Sequence, residues 1–459
     1  MLQSIKALFL VSALNSLYLL CVDSLANSES EIATTKIDSN VDCVDLSDGT
    51  SYCEYKNSLC FDGESLLFIV INNNRSGDIN TNPENDGWLY LDRGGFSDNG
   101  LPYGSGLTGQ FQPESYLVNN KVRFMEGLIA LVPFHFDPSN IYHFAASVLT
   151  GYHARRHHLN KSSSSLPNNN KQMTSQNCPG FDEAFLFMKA EEMSDWTTNL
   201  AQLALSRCSL LAFEDDFIFQ SMSSPKPLCF RRAVIFGTSI NLFSGIWDAV
   251  EFRNLVASQH KILFEKKIIT ICIRTKSRLI LNIQEFASAI QTWAPTLSIV
   301  IANFEIMNFK EQLDLMSKTV IFIAVHGAGL TNVIFLPGGS SVIELSPYKF
   351  NHVMYEKISI NAGHMYHRYT ASFAEMRYGN DSVMVQFSRV LSTARISNRQ
   401  CNKIEPTCMR MARDGDIMID LQRFKSYFDA ATDVIEDIES LFRVDEFAKL
   451  RQEALYTVL

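Results

Sequence analysis

Between residues 260 and 400 the chain alternates short, unbroken apolar runs with amphipathic stretches. The apolar runs are "IITICI" (268–273), "LSIVIA" (297–302), "TVIFIAV" (319–325) and "SVIEL" (341–345). Between them lie "QEFASAIQTWA" (284–294), "FKEQLDLMSK" (309–318) and "GLTNVIFL" (329–336), which read as helices. Strands apolar at every position are those buried on both faces. Their alternation with helices predicts a parallel, Rossmann-type α/β sheet. Further on, "DIMIDLQRFKSYFDAATDVIEDIESLF" (416–442) carries helical periodicity and predicts a long amphipathic helix.

The first half of the chain is less regular. "SLLFIVIN" (65–72) predicts a strand, and the turn-rich stretch after it predicts loops. "NIYHFAASVLTGYHARR" (140–156) predicts a helix that starts after the "DPSN" stop. Ile141, Phe144, Ala145, Val148 and Leu149 share its apolar face. The Ser/Asn-rich stretch 160–177 reads as an inserted loop.

Composition places limits on this picture. The 459 residues are 46% hydrophobic and 19% charged, an ordinary globular balance with length for two domains. A net charge of −9 argues against a nucleic-acid surface. At the N-terminus Lys6 precedes an apolar run from Ala7 to Val22, and Ser24 and Ala26 form a small-x-small pattern. This reads as a signal peptide or a signal-anchor. Export predicts oxidising surroundings, and the ten cysteines agree. Cys272, inside an apolar run, reads as a buried free thiol. Cys53–Cys60 and Cys401–Cys408 are spaced for local clips, although spacing alone does not fix pairing. Three N-glycosylation sequons, at Asn74, Asn160 and Asn380, fit a lumenal chain. No ligand spacing points to a metal.

The candidate chemistry centres on "VHGAGLTNVIFLPGGSSVIEL" (325–345). A strand delivers His326 at its carboxyl end, and Gly327 and Gly329 permit close backbone approach. A helix start then offers free N–H groups to an anion. Glu344 ends the next strand and is placed to accept from a ribose diol. An esterase-type oxyanion loop would need a downstream G-x-S-x-G elbow, and the chain has none. "CIRTKSRLILN" (272–282) ends another strand with Arg274, Lys276 and Arg278, a set suited to a diphosphate.

The blocks "RTKSRLILN", "HGAGLTNVIFLPGGSSVIEL" and "RDGDIMIDLQRF" resemble the signature blocks of glycosyltransferase family 61. "CEYKNSLC" (53–60) and "PFHFDPSNIYHFAASVL" (133–149) resemble its N-terminal blocks, and all stand in family order. The resemblance implies an α/β GT-B-like fold, with two Rossmann-type domains facing a central cleft. It implies a UDP-sugar donor with no strict need for a metal, an inverting mechanism, a glycan or glycoprotein acceptor, and residence in the ER or Golgi lumen. Membrane attachment would run only through the N-terminal segment. The implied layout is a signal peptide or anchor at 1–26 and a stem at 27–60. An acceptor-side α/β domain follows at 61–255, a nucleotide-sugar domain at 256–415 and a helical tail at 416–459.

The resemblance also assigns residues. The donor site would comprise Arg274, Lys276 and Arg278, the turn His326, Gly327, Ala328, Gly329, Leu330 and Asn332, and Glu344. His143 matches the family's helix histidine. Family members commonly carry acidic residues just after that histidine, whereas this chain reads "HFAASVL". The general base then falls to His143 or Asp137, and His143 reads equally well as a buried structural histidine. The donor sugar is left open among xylose, GlcNAc and arabinose. A catalytically inactive nucleotide-sugar or glycan binder on the same fold is the competing class.

Overall fold

A computed structural model describes residues 34–38, 41–45, 51–62, 67–71, 89–90, 108–112, 122–134, 138–164, 181–205, 210–213, 226–237, 239, 241–350, 352–378 and 411–442. The N-terminal signal or anchor segment, Asp137, Cys401 and Cys408 lie outside these residues. The chain divides into two compact units: residues 1–133 with 215–238, and residues 134–214 with 239–459.

The strands of the first unit are β1 (Thr34–Asp38), β2 (Val41–Asp45), β3 (Ser51–Asp62), β4 (Leu67–Ile71), β5 (Leu89–Tyr90), β6 (Thr108–Gln112) and β7 (Arg123–Val132). The second unit contributes β8 (Glu183–Leu186) and β9 (Leu210–Phe213), and β10 (Leu228–Phe236) returns to the first. In the first unit β3 pairs antiparallel with β2, β4 and β10, while β10 pairs parallel with β7. The strand pairs of this unit are thus mixed, antiparallel around β3 and parallel between β10 and β7. Residues 51–60, expected in a stem, lie within β3, and Tyr52, Cys53, Tyr55, Leu59 and Cys60 are buried.

The disulfide expectation is corrected as well. Cys60 is bonded to Cys229, its cross-strand partner, over a sequence separation of 169. Cys53 is disulfide-bonded too, and not to Cys60. Seven residues along one extended strand span about 23 Å, several times the reach of a disulfide. Cys272 is a buried free thiol, as its apolar surroundings predict, and burial pushes it up to about 12.

In the second unit the helices are α1 (Ile141–Ser164), α2 (Asp195–Leu205), α3 (Ile246–His260), α4 (Ile283–Trp293), α5 (Phe309–Met316), α6 (Met354–Asn361) and α7 (Leu421–Phe442). Its main sheet contains β11 (Ile268–Cys272), β12 (Ser298–Ala302), β13 (Thr319–Val325), β14 (Ser341–Ser346) and β15 (Met365–Thr370). All are parallel, in the order β12-β11-β13-β14-β15. A small antiparallel pair, β16 (Met376–Arg377) and β17 (Asp416–Ile417), lies beside it. This is the Rossmann-like sheet that the apolar runs predict.

Alternation along the strands sorts the two faces of this sheet. Ile269, Ile271, Ile321, Ile323, Val325, Ile343, Leu345 and Tyr369 form one face, packed with Phe286 and Ile290 of α4 and Phe424, Phe428 and Ala431 of α7. The last three recur at i, i+4 and i+7, the stripe of a docked helix. The segment from Ile417 to Ala431 therefore contributes to the core of this unit. The opposite face carries Cys272, Ala324, Glu344 and Arg368 in one row across the sheet.

Helix α1 begins where the sequence predicts, and the side chain of Asn140 accepts from the Tyr142 N–H at 3.0 Å. It runs on to Ser164, into the stretch read as a loop. Helices α1, α2 and α3 belong to the same compact unit as the parallel sheet, not to a domain ending at residue 255.

Candidate active site

The site is built at the carboxyl ends of β11, β13 and β14. Strand β13 is buried throughout and ends at Val325. His326 keeps contact with the next strand through its N–H to the Leu345 carbonyl at 3.1 Å. A 3-10 helix, Ala328–Phe335, follows at once. Arg278 Nη1 donates to the His326 carbonyl at 2.7 Å. A Cβ added at Gly327 would sit 2.7 Å from Arg274 Nη1 and 3.3 Å from Arg278 Nη1. Two guanidinium groups therefore crowd the backbone at Gly327, and any side chain there would have to push them aside.

Arg274 Nε donates to the Ser277 carbonyl at 3.1 Å, which folds the loop back on itself. Arg278 adopts a left-handed backbone, φ 58°, a conformation that non-glycine residues hold at a cost. Burial first, and then the neighbouring Arg274, pull its guanidinium down to about 10. Arg278 stays cationic at neutral pH, beside the guanidinium of Arg274. Their mutual repulsion is the condition that an anion relieves. Lys276, between them in sequence, is exposed.

The loop is braced from a distant part of the chain. Leu279 N–H donates to Asp416 Oδ1 at 2.8 Å, and Ile417 N–H donates to the Leu279 carbonyl at 2.8 Å. Asn282 and Ile419 exchange two further bonds of 2.9 Å. This brace brings in two residues that the sequence reading missed. Arg413 forms a two-pronged pair with Asp414, at 2.7 and 3.0 Å. Burial pushes the Asp414 carboxyl up, but the Arg413 fork and the fields of Arg278 and Arg274 outweigh it and hold the group below its ordinary value. The "RDGD" block resembled a family signature, which was the available signal. Its place beside the arginine loop depends on pairing between segments 137 residues apart.

The rest of the expected donor set divides. Gly327 is buried against the arginines, while Ala328 and Gly329 are the partly exposed residues of the turn. Leu330 is fully buried. Asn332 is fully buried as well, with its side chain used structurally: Oδ1 accepts from Trp196 Nε1 at 3.0 Å, and Nδ2 donates to Gln312 Oε1 at 3.1 Å and to the Gly329 carbonyl at 3.3 Å. It ties α2 and α5 to the turn and is not presented to a ligand.

Glu344 is also corrected. It is fully buried; one oxygen lies 2.6 Å from His326 Nδ1 and the other accepts from the Tyr366 hydroxyl. Neither oxygen faces a ribose. The His326 ring is packed against Phe350 at 4.5 Å and Tyr355 at 5.2 Å between centroids. Tyr355 in turn meets Tyr142, next to His143 on α1, at 6.0 Å. The helix histidine thus stands in the same unit as the turn, linked to it through two tyrosine rings. Asp137 lies outside the described residues. Among the described residues no cluster of His, Cys, Asp or Glu could hold a metal ion, and no helix is long and apolar enough to cross a membrane.

A parallel sheet with an arginine-lined, glycine-containing turn at its carboxyl edge defines an α/β protein whose candidate site has the chemistry to receive an anion. Comparison with known proteins agrees with that class and narrows it. The family model described as Glycosyltransferase 61 matches residues 142–343, which run from α1 through the turn to β14. The chain is 37% identical over 108 residues to the EGF domain-specific O-linked N-acetylglucosamine transferase of Xenopus laevis, covering 22% of this chain and 20% of that protein. It is 35% identical over 158 residues to the protein of the same name from Canis lupus familiaris, 29% of each chain. Against the Protein O-linked-mannose beta-1,4-N-acetylglucosaminyltransferase 2 of Canis lupus familiaris it is 34% identical over 86 residues, 19% of this chain and 15% of that one. The matched regions thus span less than a third of each of these relatives. Residues 142–343 are a glycosyltransferase family 61 region.

Proposed function

We propose that the chain is an inverting glycosyltransferase of the secretory pathway. It moves one sugar from a UDP-sugar to a glycan or glycoprotein. The observation that carries this reading is the convergence of Arg274 and Arg278 on the backbone of Gly327, at the carboxyl ends of parallel strands. That arrangement suits a diphosphate, and it would stabilise the charge that develops on departing UDP. The second unit is then the donor-binding domain of a GT-B-type enzyme.

In the proposed step an acceptor hydroxyl oxygen bonds to the anomeric carbon as the bond from that carbon to the phosphate oxygen breaks. The electron pair leaves with UDP. The hydroxyl proton passes to a general base, for which His143 and Asp137 are the candidates. Xylose, GlcNAc and arabinose are the candidate donor sugars. The two kinds of relative carry N-acetylglucosamine in their names, which favours UDP-GlcNAc as the first donor to test.

One observation favours a second reading, a nucleotide-sugar or glycan binder without turnover: the first turn of α1 carries no acidic residue. Measuring UDP release across a panel of UDP-sugars, with glycopeptide and glycan acceptors, separates the two. Turnover with at least one donor supports the transferase. Saturable UDP binding without turnover for every pair supports the binder. Failure to bind UDP at all rejects both.

A further inference from the structure

Glu344 raises a physical question. A carboxylate with no solvent exposure is costly unless it is paired and hydrogen-bonded. Strand alternation puts it in a row with Cys272, Ala324 and Arg368, on the face of the sheet beneath the turn. Both of its oxygens are engaged. Tyr366 donates to one, Arg368 Nε donates to the Tyr366 hydroxyl at 3.0 Å, and Arg368 is held by the His352 carbonyl at 2.9 Å and by Glu356 at 3.3 Å. Burial, and then the Glu344 charge, push the Tyr366 hydroxyl up, so it remains a donor. The other oxygen lies 2.6 Å from His326 Nδ1. The two groups are within hydrogen-bond distance, with the other Glu344 oxygen already accepting from Tyr366. The rings of Phe350 and Tyr355 flank the imidazole. A ribose diol could reach Glu344 only by breaking both bonds and displacing the histidine.

We propose that Glu344 is a positioning residue and not a ribose ligand: it holds the Nδ1 proton of His326 so that Nε2 meets a donor phosphate oxygen. Tyr366 and Arg368 hold Glu344 in turn. The inference rests on the donor-site reading given above. With an anion bound, the ring bridges the buried carboxylate at Nδ1 and the phosphate at Nε2, with a charged partner at each end. It is then a third group for the phosphate beside Arg274 and Arg278, oriented from below by a carboxylate that never touches the ligand.

The test is a double-mutant cycle on the full chain. Binding of UDP and, separately, of uridine is measured by titration calorimetry for wild type, Glu344→Gln, His326→Ala and the double variant. Each single change weakens UDP by about fivefold to tenfold, because each removes the same coupled bond. The double variant is no weaker than His326→Ala alone, and uridine affinity is unchanged throughout. A loss of uridine affinity in Glu344→Gln equal to its loss of UDP affinity, or losses that multiply in the double variant, would overturn the proposal in favour of a ribose contact. Tyr366→Phe leaves the carboxylate in place and covers the case in which Glu344→Gln does not fold. It weakens UDP by about twofold with uridine unchanged, and equal weakening of uridine counts against the proposal. If wild type binds no UDP, the donor-site reading fails, while the His326–Glu344 geometry is still read from imidazole nitrogen resonances of the ligand-free protein. An unprotonated Nδ1 in wild type overturns it.

Discussion

The two halves of the segment "HGAGLTN" look alike in sequence and do different work in the fold. His326 and Gly327 sit under two guanidinium groups at the sheet edge. Leu330 and Asn332, a few residues later, face inward, and Asn332 bonds to Trp196, Gln312 and Gly329. The difference arises because a 3-10 helix turns a residue inward soon after the glycine. A short polar residue there is kept by the packing it completes, not by a ligand. The motif thus mixes groups placed at the sheet edge with groups that hold that edge still.

Breaking the inward half has the largest expected effect on stability. Asn332→Ala removes the acceptor of the buried Trp196 Nε1–H and the donor to Gln312 Oε1. It is expected to cost about 2–4 kcal/mol in urea unfolding, while the folded fraction keeps its UDP affinity. A loss of UDP affinity without loss of stability would instead move Asn332 to the ligand side of the comparison. Breaking the outward half should reverse the pattern. Arg278→Ala is expected to lose about 1.5–3 kcal/mol of UDP binding, roughly tenfold to a hundredfold, with uridine binding intact.

Smaller changes sharpen the same contrast. Gly327→Ala places a methyl group against Arg274, whose flexible end can swing away. The expected loss is about 1 kcal/mol of UDP affinity with little change in melting temperature. Gly329→Ala meets only ordinary contacts, Cys272 Sγ at 3.4 Å and Phe304 Cδ2 at 3.7 Å, and serves as its control. Asp414→Asn has the opposite sign. It removes a negative charge beside the arginine loop and should tighten UDP binding by about twofold to threefold, a gain that fades at high salt. Weaker binding in Asp414→Asn would instead mark that carboxylate as a direct contact with the nucleotide or the acceptor.

Much of the second unit was legible because its signals are local. Unbroken apolar runs announced β11 to β14, and β13 falls at 319–325 as read. Helical stripes announced α1, α4, α5 and α7. The short stretch after the turn resolved as a 3-10 helix, because eight residues squeezed between a glycine turn and a Pro-Gly-Gly turn leave little room for a regular α-helix. The candidate site was legible in part. Arg274, Arg278, His326 and Gly327 come together, but the company kept by Glu344 and Asn332 did not show. A carboxylate at a strand end reads the same whether it faces a ribose or the ring of a histidine 18 residues earlier.

By itself the sequence determined the secondary-structure alternation, the parallel sheet, and the position of a glycine-containing turn at a strand's carboxyl end. These follow from periodicities of two and of about 3.6 residues and from glycine placement, which act within a few residues of one another. Only the tertiary structure decided that Cys60 bonds to Cys229, that α1 belongs with the parallel sheet, that the 413–419 segment braces the arginine loop, and that Glu344 supports His326. Each of those depends on residues far apart in the chain meeting in one register. The energy that selects among such meetings comes from packing and burial of the whole unit rather than from any local pattern.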